Sequence, residues 1–557
     1  MASERQRAYC FGAALVMCTV LGLVPRLWIA LHQFIEYDGW WHVFISRQPL
    51  WFNFLAEVAT TAHPPLYFLT LRAAQEILGY NRLAYRFVSL AAGIMTIPLV
   101  GVIARRLGCS RRASVLAALV VAVSESATII SCEVRSYSLA LLFVLVAFVF
   151  LAELLTGTPD RWTIVILAAS SGAAVATHYF GFLLVAAELT MIIVATAFPD
   201  ARLRIRSSVT PLAIGMTGLV VAGMISLYVL QVRRFAGRLN HLPAFFFDAN
   251  APESAPAFFL RNLRSFVNLF SPAANRGSIA LVVACAVGVL LGAGAVSLRR
   301  GPRWPAATAA LFALLLFSGI VAGSFAGLYP FGGDLRQQFF FFPFLCLGLI
   351  GAMDFAVRSP RLKTIATIIL SLACIGHGLR WWNSFPILDS ELFTSEYRIF
   401  NRSFGGDRAI VVDQFNVIVL FAHMHDRPWR LVRRWPPERM KEYSVGRDVR
   451  VIRDRAIWNY DVMRQSDFLR LRYEAEVAGA ASFALFALRQ VPPDPAVNPV
   501  AYAERVRVNA RAARLLPQTV VISGYDVFGR FLVPANSGAA AGPGGGFLAP
   551  KPVHKHR

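Results

Sequence analysis

The chain has 557 residues, 56% of them hydrophobic and only 16% charged, with a mean hydropathy of +0.54, a composition that excludes an ordinary soluble domain and requires lipid. A formal net charge of +23 would suggest a nucleic-acid partner in a soluble protein. Here the lysines and arginines fall in short loops between apolar runs, where the positive-inside rule accounts for them and no nucleic acid is expected.

The first apolar run follows Arg5 and Arg7 and continues through Trp28 and Ile29 without a small-x-small cleavage site, so it reads as a membrane anchor rather than a signal peptide. Runs long enough to cross a bilayer fall near 9–31, 83–104, 113–131, 138–155, 162–177, 180–198, 211–230, 278–298, 306–327, 339–357 and 364–382, which predicts about eleven spans. The stretch 63–79 is shorter, carries Arg72, Gln75 and Glu76 and opens on His63-Pro64-Pro65, so it reads as a juxtamembrane helix within a first outer loop, 32–82. With it left out of the count, the basic loops 105–112, 159–161, 202–206, 299–303 and 358–363 all fall on one side, expected to be cytoplasmic together with the N-terminus. All seven cysteines lie between Cys10 and Cys374, mostly inside apolar runs, so neither a disulfide framework nor a zinc spacing is legible.

After the last span the pattern changes. Residues 408–413, 449–452 and 482–488 read as buried strands and 501–515 as a helix, which predicts a small α/β domain over 393–534. The Gly/Ala-rich tail, 535–557, is expected to be disordered.

Polar residues that topology does not explain gather at the outer ends of the spans. In chain order they are Asp38, within Glu36-Tyr37-Asp38-Gly39-Trp40-Trp41-His42, then Glu57, then His63 and Tyr67 in His63-Pro64-Pro65-Leu66-Tyr67. Glu133, Arg135 and Tyr137 follow in the turn 131–137, His178 stands beside Tyr179, and Asp334 and Arg336 come after Gly332-Gly333. Each also has an ordinary reading: a solvated or capping Asp38, a His63 that caps the helix after it, a Glu133–Arg135 ion pair, aromatics of an interfacial belt (Tyr67, Tyr137, Trp40, Trp41), a His178 that closes a turn, or loop-end Asp334 and Arg336. Their accumulation on one face favours a shared chemical task. Transfer of a sugar from a phosphate ester to a hydroxyl needs a base for the acceptor proton and positive charge for the departing phosphate; Asp38 suits the first role, Arg135 and Arg336 the second. Glu125 and Glu188 fall inside predicted spans, where a carboxylate is neutral, paired or beside a polar cavity.

At these residues, over roughly 9–350, the chain resembles the GT-C superfamily of integral-membrane glycosyltransferases, especially the protein O-mannosyltransferase, aminoarabinose transferase and rhizobial galacturonosyltransferase-like branch. The series Asp38, His63-Pro64-Pro65-Leu66-Tyr67, Tyr85-Arg86, Leu107-Gly108-Cys109-Ser110-Arg111 and Glu133-Val134-Arg135-Ser136-Tyr137 carries the resemblance by its order and spacing. It implies an inverting transfer from an undecaprenyl- or dolichyl-phosphate sugar, metal-independent or metal-assisted, with the first-loop aspartate as base. The family often has Asp-Glu in that loop; Asp38-Gly39 departs from it, and Glu57 or Glu36 is left to supply the second acid.

The expectation is thus an α-helical polytopic membrane protein of GT-C type, 1–392, with a C-terminal extramembrane α/β domain. It is expected to be a glycosyltransferase of a bacterial inner membrane, with the C-terminal domain in the periplasm. Its partners would be a polyprenyl-phosphate-linked sugar donor, membrane lipids and a lipid, glycan or protein acceptor. No cofactor is required and a divalent metal is not indicated. Asp38 is the expected catalytic residue; Glu57, His63, Tyr67, Glu133, Arg135, Tyr137, His178, Asp334 and Arg336 are the expected substrate-binding ones. A lipid-linked polysaccharide polymerase or ligase would place its key Arg and His residues in one late loop, and a transporter would place its site near the midplane. The richest loop here is the first.

Overall fold

The structure is a computed structural model and describes residues 2–48, 50–59, 61, 63–156, 160–196, 218, 223, 225, 245–249, 252–270, 305–332, 335–357, 359–388, 391, 393–435, 440–454, 464–488, 499–523 and 526–534. The expected span 211–230 except for 218, 223 and 225, the expected span 278–298, the basic loops 202–206 and 299–303, the tail and Asp334 lie outside them. The chain divides into two compact units, 1–392 and 393–557.

The first unit is helical. It opens with α1 (Ala2–His32), then three short helices, α2 (Tyr37–Ser46), α3 (Trp51–Val58) and α4 (Pro65–Leu78), within the first loop. Then come α5 (Arg82–Arg106), α6 (Arg111–Val123), α7 (Glu125–Cys132), α8 (Tyr137–Thr156), α9 (Arg161–Thr177) and α10 (Gly181–Thr196). Later described helices are α11 (Ala255–Phe270), α12 (Pro305–Phe325), the short α13 (Leu335–Gln338), α14 (Phe342–Ala356) after a 3-10 turn at Phe339–Phe341, and α15 (Pro360–Ser384). Local chemistry starts them: Asn81 accepts from the Ala84 amide at 2.9 Å, Asp160 and Thr163 form a capping box, and Pro65 opens α4 where its missing N–H costs nothing.

Four helices among the described residues are long and apolar enough to cross a membrane, or five if α6 and α7 form one span bent by 55°. The expected straight span 113–131 is therefore a broken one. The break at Ser124 frees carbonyls in apolar surroundings, where each needs a donor, and Arg26 of α1 supplies it. The fully buried Arg26 guanidinium donates to Val121 O at 3.0 Å and to Ala122 O at 2.8 Å, and Ser124 caps α7 through the Ala127 amide. Glu188, on α10, is buried and accepts from Ser171 Oγ at 2.8 Å.

Around this frame the core is packed by interlocking rings rather than by a drive to leave water, which lipid does not provide. Phe148, Phe312 and Phe344 meet with centroids 4.9 to 5.1 Å apart, joining α8, α12 and α14.

The second unit is a seven-stranded mixed sheet, β1 (Ala409–Val412), β2 (Trp429–Trp435), β3 (Met440–Val445), β4 (Val449–Asp454), β5 (Ser482–Ala487), β6 (Leu516–Ser523) and β7 (Asp526–Leu532), in the order β2-β3-β4-β1-β5-β7-β6. The apolar β1 is central, parallel to β4 and β5 and buried throughout, while the edges carry Arg430, Arg433 and Arg434 on β2 and Pro517 on β6, residues that discourage further pairing.

Candidate active site

Asp38 lies in the first turn of α2, where the positive end of the helix dipole favours a carboxylate. His42, four residues on, shares its face. The helix is held against the turn after α7, because His42 Nδ1 donates to Val134 O at 2.8 Å. That approach leaves no room beside Asp38: a Cβ on Gly39 would stand 2.8 Å from Ile35 Cγ2 and 3.3 Å from Val134 Cβ. A glutamate at 39 would have to shift the Ile35 side chain and press on that of Val134.

Glu133 caps the C-terminus of α7 in an extended conformation, and Glu133, Val134 and Arg135 project before α8 begins. Arg86 of α5 fixes both sides of the site. Its guanidinium donates to Cys132 O at 2.8 Å, Ala30 O at 2.8 Å, Gln33 O at 2.9 Å and Phe34 O at 2.7 Å, so the end of α7 and the start of the first loop are tied to one buried side chain. Ser89, one turn later, donates to Arg135 O at 2.7 Å and in turn accepts from the Tyr67 hydroxyl at 3.2 Å.

Three ion pairs result, on two arginines. Arg135, only 8% exposed, pairs with Asp38, whose side chain is 45% exposed. Arg336 of α13 donates through Nε to Glu133 Oε2 at 3.0 Å and Oε1 at 3.2 Å, and its other arm pairs with Glu36. Burial pushes the Asp38 carboxyl up, but Arg135, with His42 and Arg336 behind it, outweighs burial and holds it below the usual carboxylate range. For Glu133 burial wins over Arg336, and with Glu36 nearby its carboxyl is pushed up to about 7. One arginine thus keeps an ionised carboxylate; the other faces a carboxyl that titrates near neutrality.

Behind these pairs lies a ring cluster. His63 has its ring centroid 5.2 Å from His42 and 5.4 Å from His178, and Tyr137 is 5.2 Å from His178. Burial and the charge of Arg135 push His42 down to about 3 and His178 to about 4, while burial and the neighbouring imidazoles hold His63 well below its ordinary value. All three are neutral at pH 7, and the Phe180 amide donating to His178 Nδ1 at 3.1 Å agrees. Tyr67 and Trp40 are fully buried, Trp40 donating to Glu391 Oε2 at 2.9 Å, so neither stands in an interfacial belt.

A cavity of about 240 Å³ opens beside the pairs. Glu36, Glu133 and Arg135 share its walls with apolar Ile29, Phe34, Val134 and Leu388. Asp38, Arg336 and Glu57 are not among its walls: the first two stand beside it through their partners Arg135, Glu133 and Glu36, and Glu57 lies fully buried on α3 beside Phe54 and Val58. Of the sequence candidates, therefore, Asp38, Arg135, Glu133 and Arg336 come together as ion pairs and His63, Tyr67, Tyr137 and His178 as the rings behind. His42 was not among the expected site residues, and Glu36 stood only as an alternative to Glu57 for the second acid. The i, i+4 spacing from Asp38 was the signal for His42. Among the described residues no group of three or more His, Cys, Asp and Glu side chains is arranged to hold a metal ion.

Residues 15–234 match the family model of dolichyl-phosphate-mannose-protein mannosyltransferases. No curated protein sequence matches the chain. Among solved structures, the archaeal oligosaccharyltransferase AglB from Archaeoglobus fulgidus, in complex with an inhibitory peptide and a dolichol-phosphate, is 12% identical, with a TM-score of 0.50 over 86% of this chain and 70% of that one. The same enzyme in its apo form is 11% identical, with a TM-score of 0.51 over 86% and 69%. ArnT from Cupriavidus metallidurans in the apo state is 16% identical, with a TM-score of 0.42 over 72% and 68%. The chain resembles the GT-C superfamily in its N-terminal sequence and in its fold.

Proposed function

We propose that this multi-pass membrane chain, GT-C-like in sequence and fold, transfers a sugar from a polyprenyl-phosphate donor to a hydroxyl of a lipid, glycan or protein on the periplasmic side of a bacterial inner membrane. One observation carries the reading: a half-exposed carboxylate, Asp38, stands on a buried guanidinium, Arg135, with a second guanidinium, Arg336, close by and a cavity of mixed charged and apolar walls alongside. The match to a family of lipid-phosphate-dependent glycosyltransferases supports it.

In the proposed reaction the acceptor oxygen forms a bond to the anomeric carbon while the bond from that carbon to the phosphate oxygen breaks. Asp38 takes the acceptor proton, and the phosphate leaves with the bonding electron pair onto Arg135 and Arg336. A single displacement of this kind inverts the anomeric centre. In the unliganded pair Arg135 makes Asp38 a weak base. A donor phosphate that draws Arg135 away returns the carboxyl toward its ordinary range, so base strength would rise only with donor in place. Charged groups at one end of the bundle also suit this chemistry better than a transport path, whose site belongs at the midplane.

The pH dependence follows from Glu133. As pH falls through about 7 its carboxyl takes a proton and ceases to compete for Arg336, so donor affinity should rise a few-fold between pH 8 and pH 6. Glu133→Gln should flatten that profile, measured as binding of a polyprenyl-phosphate sugar across pH; an unchanged slope would remove Glu133 from the account.

Topology is tested independently. A reporter fused after residue 300 should report cytoplasm and one fused after residue 400 periplasm, as the loop charges require. The opposite signals would mean that 63–79 crosses the membrane.

A further inference from the structure

Far from the site, α1 and α15 both pack on α6 and leave a trough between them. Its cavity volume is about 820 Å³, within the range of ligand pockets. Arg7 lies 26 residues before Gln33 on one helical path, which at 1.5 Å per residue is ~40 Å, so the trough opens at the opposite end of the bundle from Asp38. The two ends of such a helix reach different leaflets.

The trough is amphipathic along its length. Arg7, Arg111 and Arg112 stand at its outer end, with Arg112 anchored by a hydrogen bond to Thr364 Oγ1 of α15. Phe11, Leu116 and Ile368 line it further in. No carboxylate lines it. The acid close to the start of α6, Asp354, is already engaged, accepting from the Ser110 amide at 2.7 Å and Ser110 Oγ at 2.8 Å and pairing with Lys363 at 3.4 Å. The arginines therefore keep their charge for another partner. A basic mouth above an apolar trough, at the membrane surface, matches an anionic headgroup above acyl chains.

We infer that this trough is a binding site for one anionic glycerophospholipid of the leaflet opposite the candidate active site, its phosphate on Arg7, Arg111 and Arg112 and an acyl chain lying along α6 between α1 and α15. Ordinary annular lipid exchanges freely and does not discriminate; a concave site with three guanidinium groups holds one molecule and selects by charge. The inference stands apart from the proposed sugar transfer and survives its failure.

The full chain, purified in detergent and stripped of lipid, should bind one molecule of phosphatidylglycerol in native mass spectrometry and melt several degrees higher with it. Phosphatidylcholine of the same acyl composition should do neither. Arg7→Gln/Arg111→Gln/Arg112→Gln should lower the bound fraction at least tenfold, and the triple Lys variant should keep it, which separates lost charge from lost folding. Ala14→Phe fills the trough without touching a charge and should also lose the lipid while eluting as wild type on size exclusion. Equal retention of phosphatidylcholine, undiminished retention by the Gln and Ala14→Phe variants, or equal stabilisation by inorganic phosphate would each overturn the assignment, the last by reducing it to an anion site.

Discussion

Asp38→Asn should lower turnover by ~100-fold or more while leaving donor affinity within a few-fold of wild type. The amide keeps the shape of the carboxylate and its place in the first turn of α2, but it has no lone pair basic enough to take the acceptor proton. Arg135 loses its ionic partner in this variant, and with it the competition that a donor phosphate must overcome, so binding should hold or tighten. Single-turnover kinetics with a polyprenyl-phosphate sugar separate the two quantities. A solvated Asp38 with no role would change neither, and near wild-type turnover would move the assignment to Glu36, which shares the cavity wall.

Arg336→Ala should have the opposite signature. Charge-assisted hydrogen bonds are worth about 1.5–3 kcal/mol, so losing this guanidinium should weaken donor binding by about 10- to 100-fold. The change also removes the cation that bridges Glu36 and Glu133, and the Glu133 carboxyl, already pushed up by burial, then holds its proton more firmly. Binding measured by displacement of a labelled polyprenyl phosphate checks this. Unchanged affinity would make Arg336 a structural bridge between two carboxylates and nothing more.

How far the sequence showed this arrangement differs from place to place. The helices α5, α8 and α15 were legible because their apolar runs are long, and α5 and α15 also start on local side-chain caps, Asn81 and Ser359. The break at Ser124 was not read from the sequence, although Ser124-Glu125-Ser126 interrupts the apolar run there; the side chain that satisfies the freed carbonyls, Arg26, comes from a helix about a hundred positions earlier. Helices α2 and α3 were missed for another reason. Trp40 and Trp41 of α2 read as a surface belt, whereas Trp40 is buried, as are Phe44 and Phe54. In the site, the one-sided accumulation of polar residues was visible and the pairing was not. Asp38 meets Arg135 across 97 positions and Arg336 meets Glu133 across 203, distances at which only the packed helices decide who meets whom. Sequence left a choice between an ion pair within Glu133-Val134-Arg135 and a phosphate site; in the structure those two residues take different partners.

The most direct test is a structure of the purified chain with a polyprenyl phosphate bound. The account predicts phosphate density within hydrogen-bonding distance of Arg135 and Arg336, beside Asp38, with the prenyl chain leaving along the apolar walls of the adjoining cavity. A well-ordered site in which Arg135 still holds Asp38, Arg336 still holds Glu133, and the lipid phosphate lies elsewhere would contradict it.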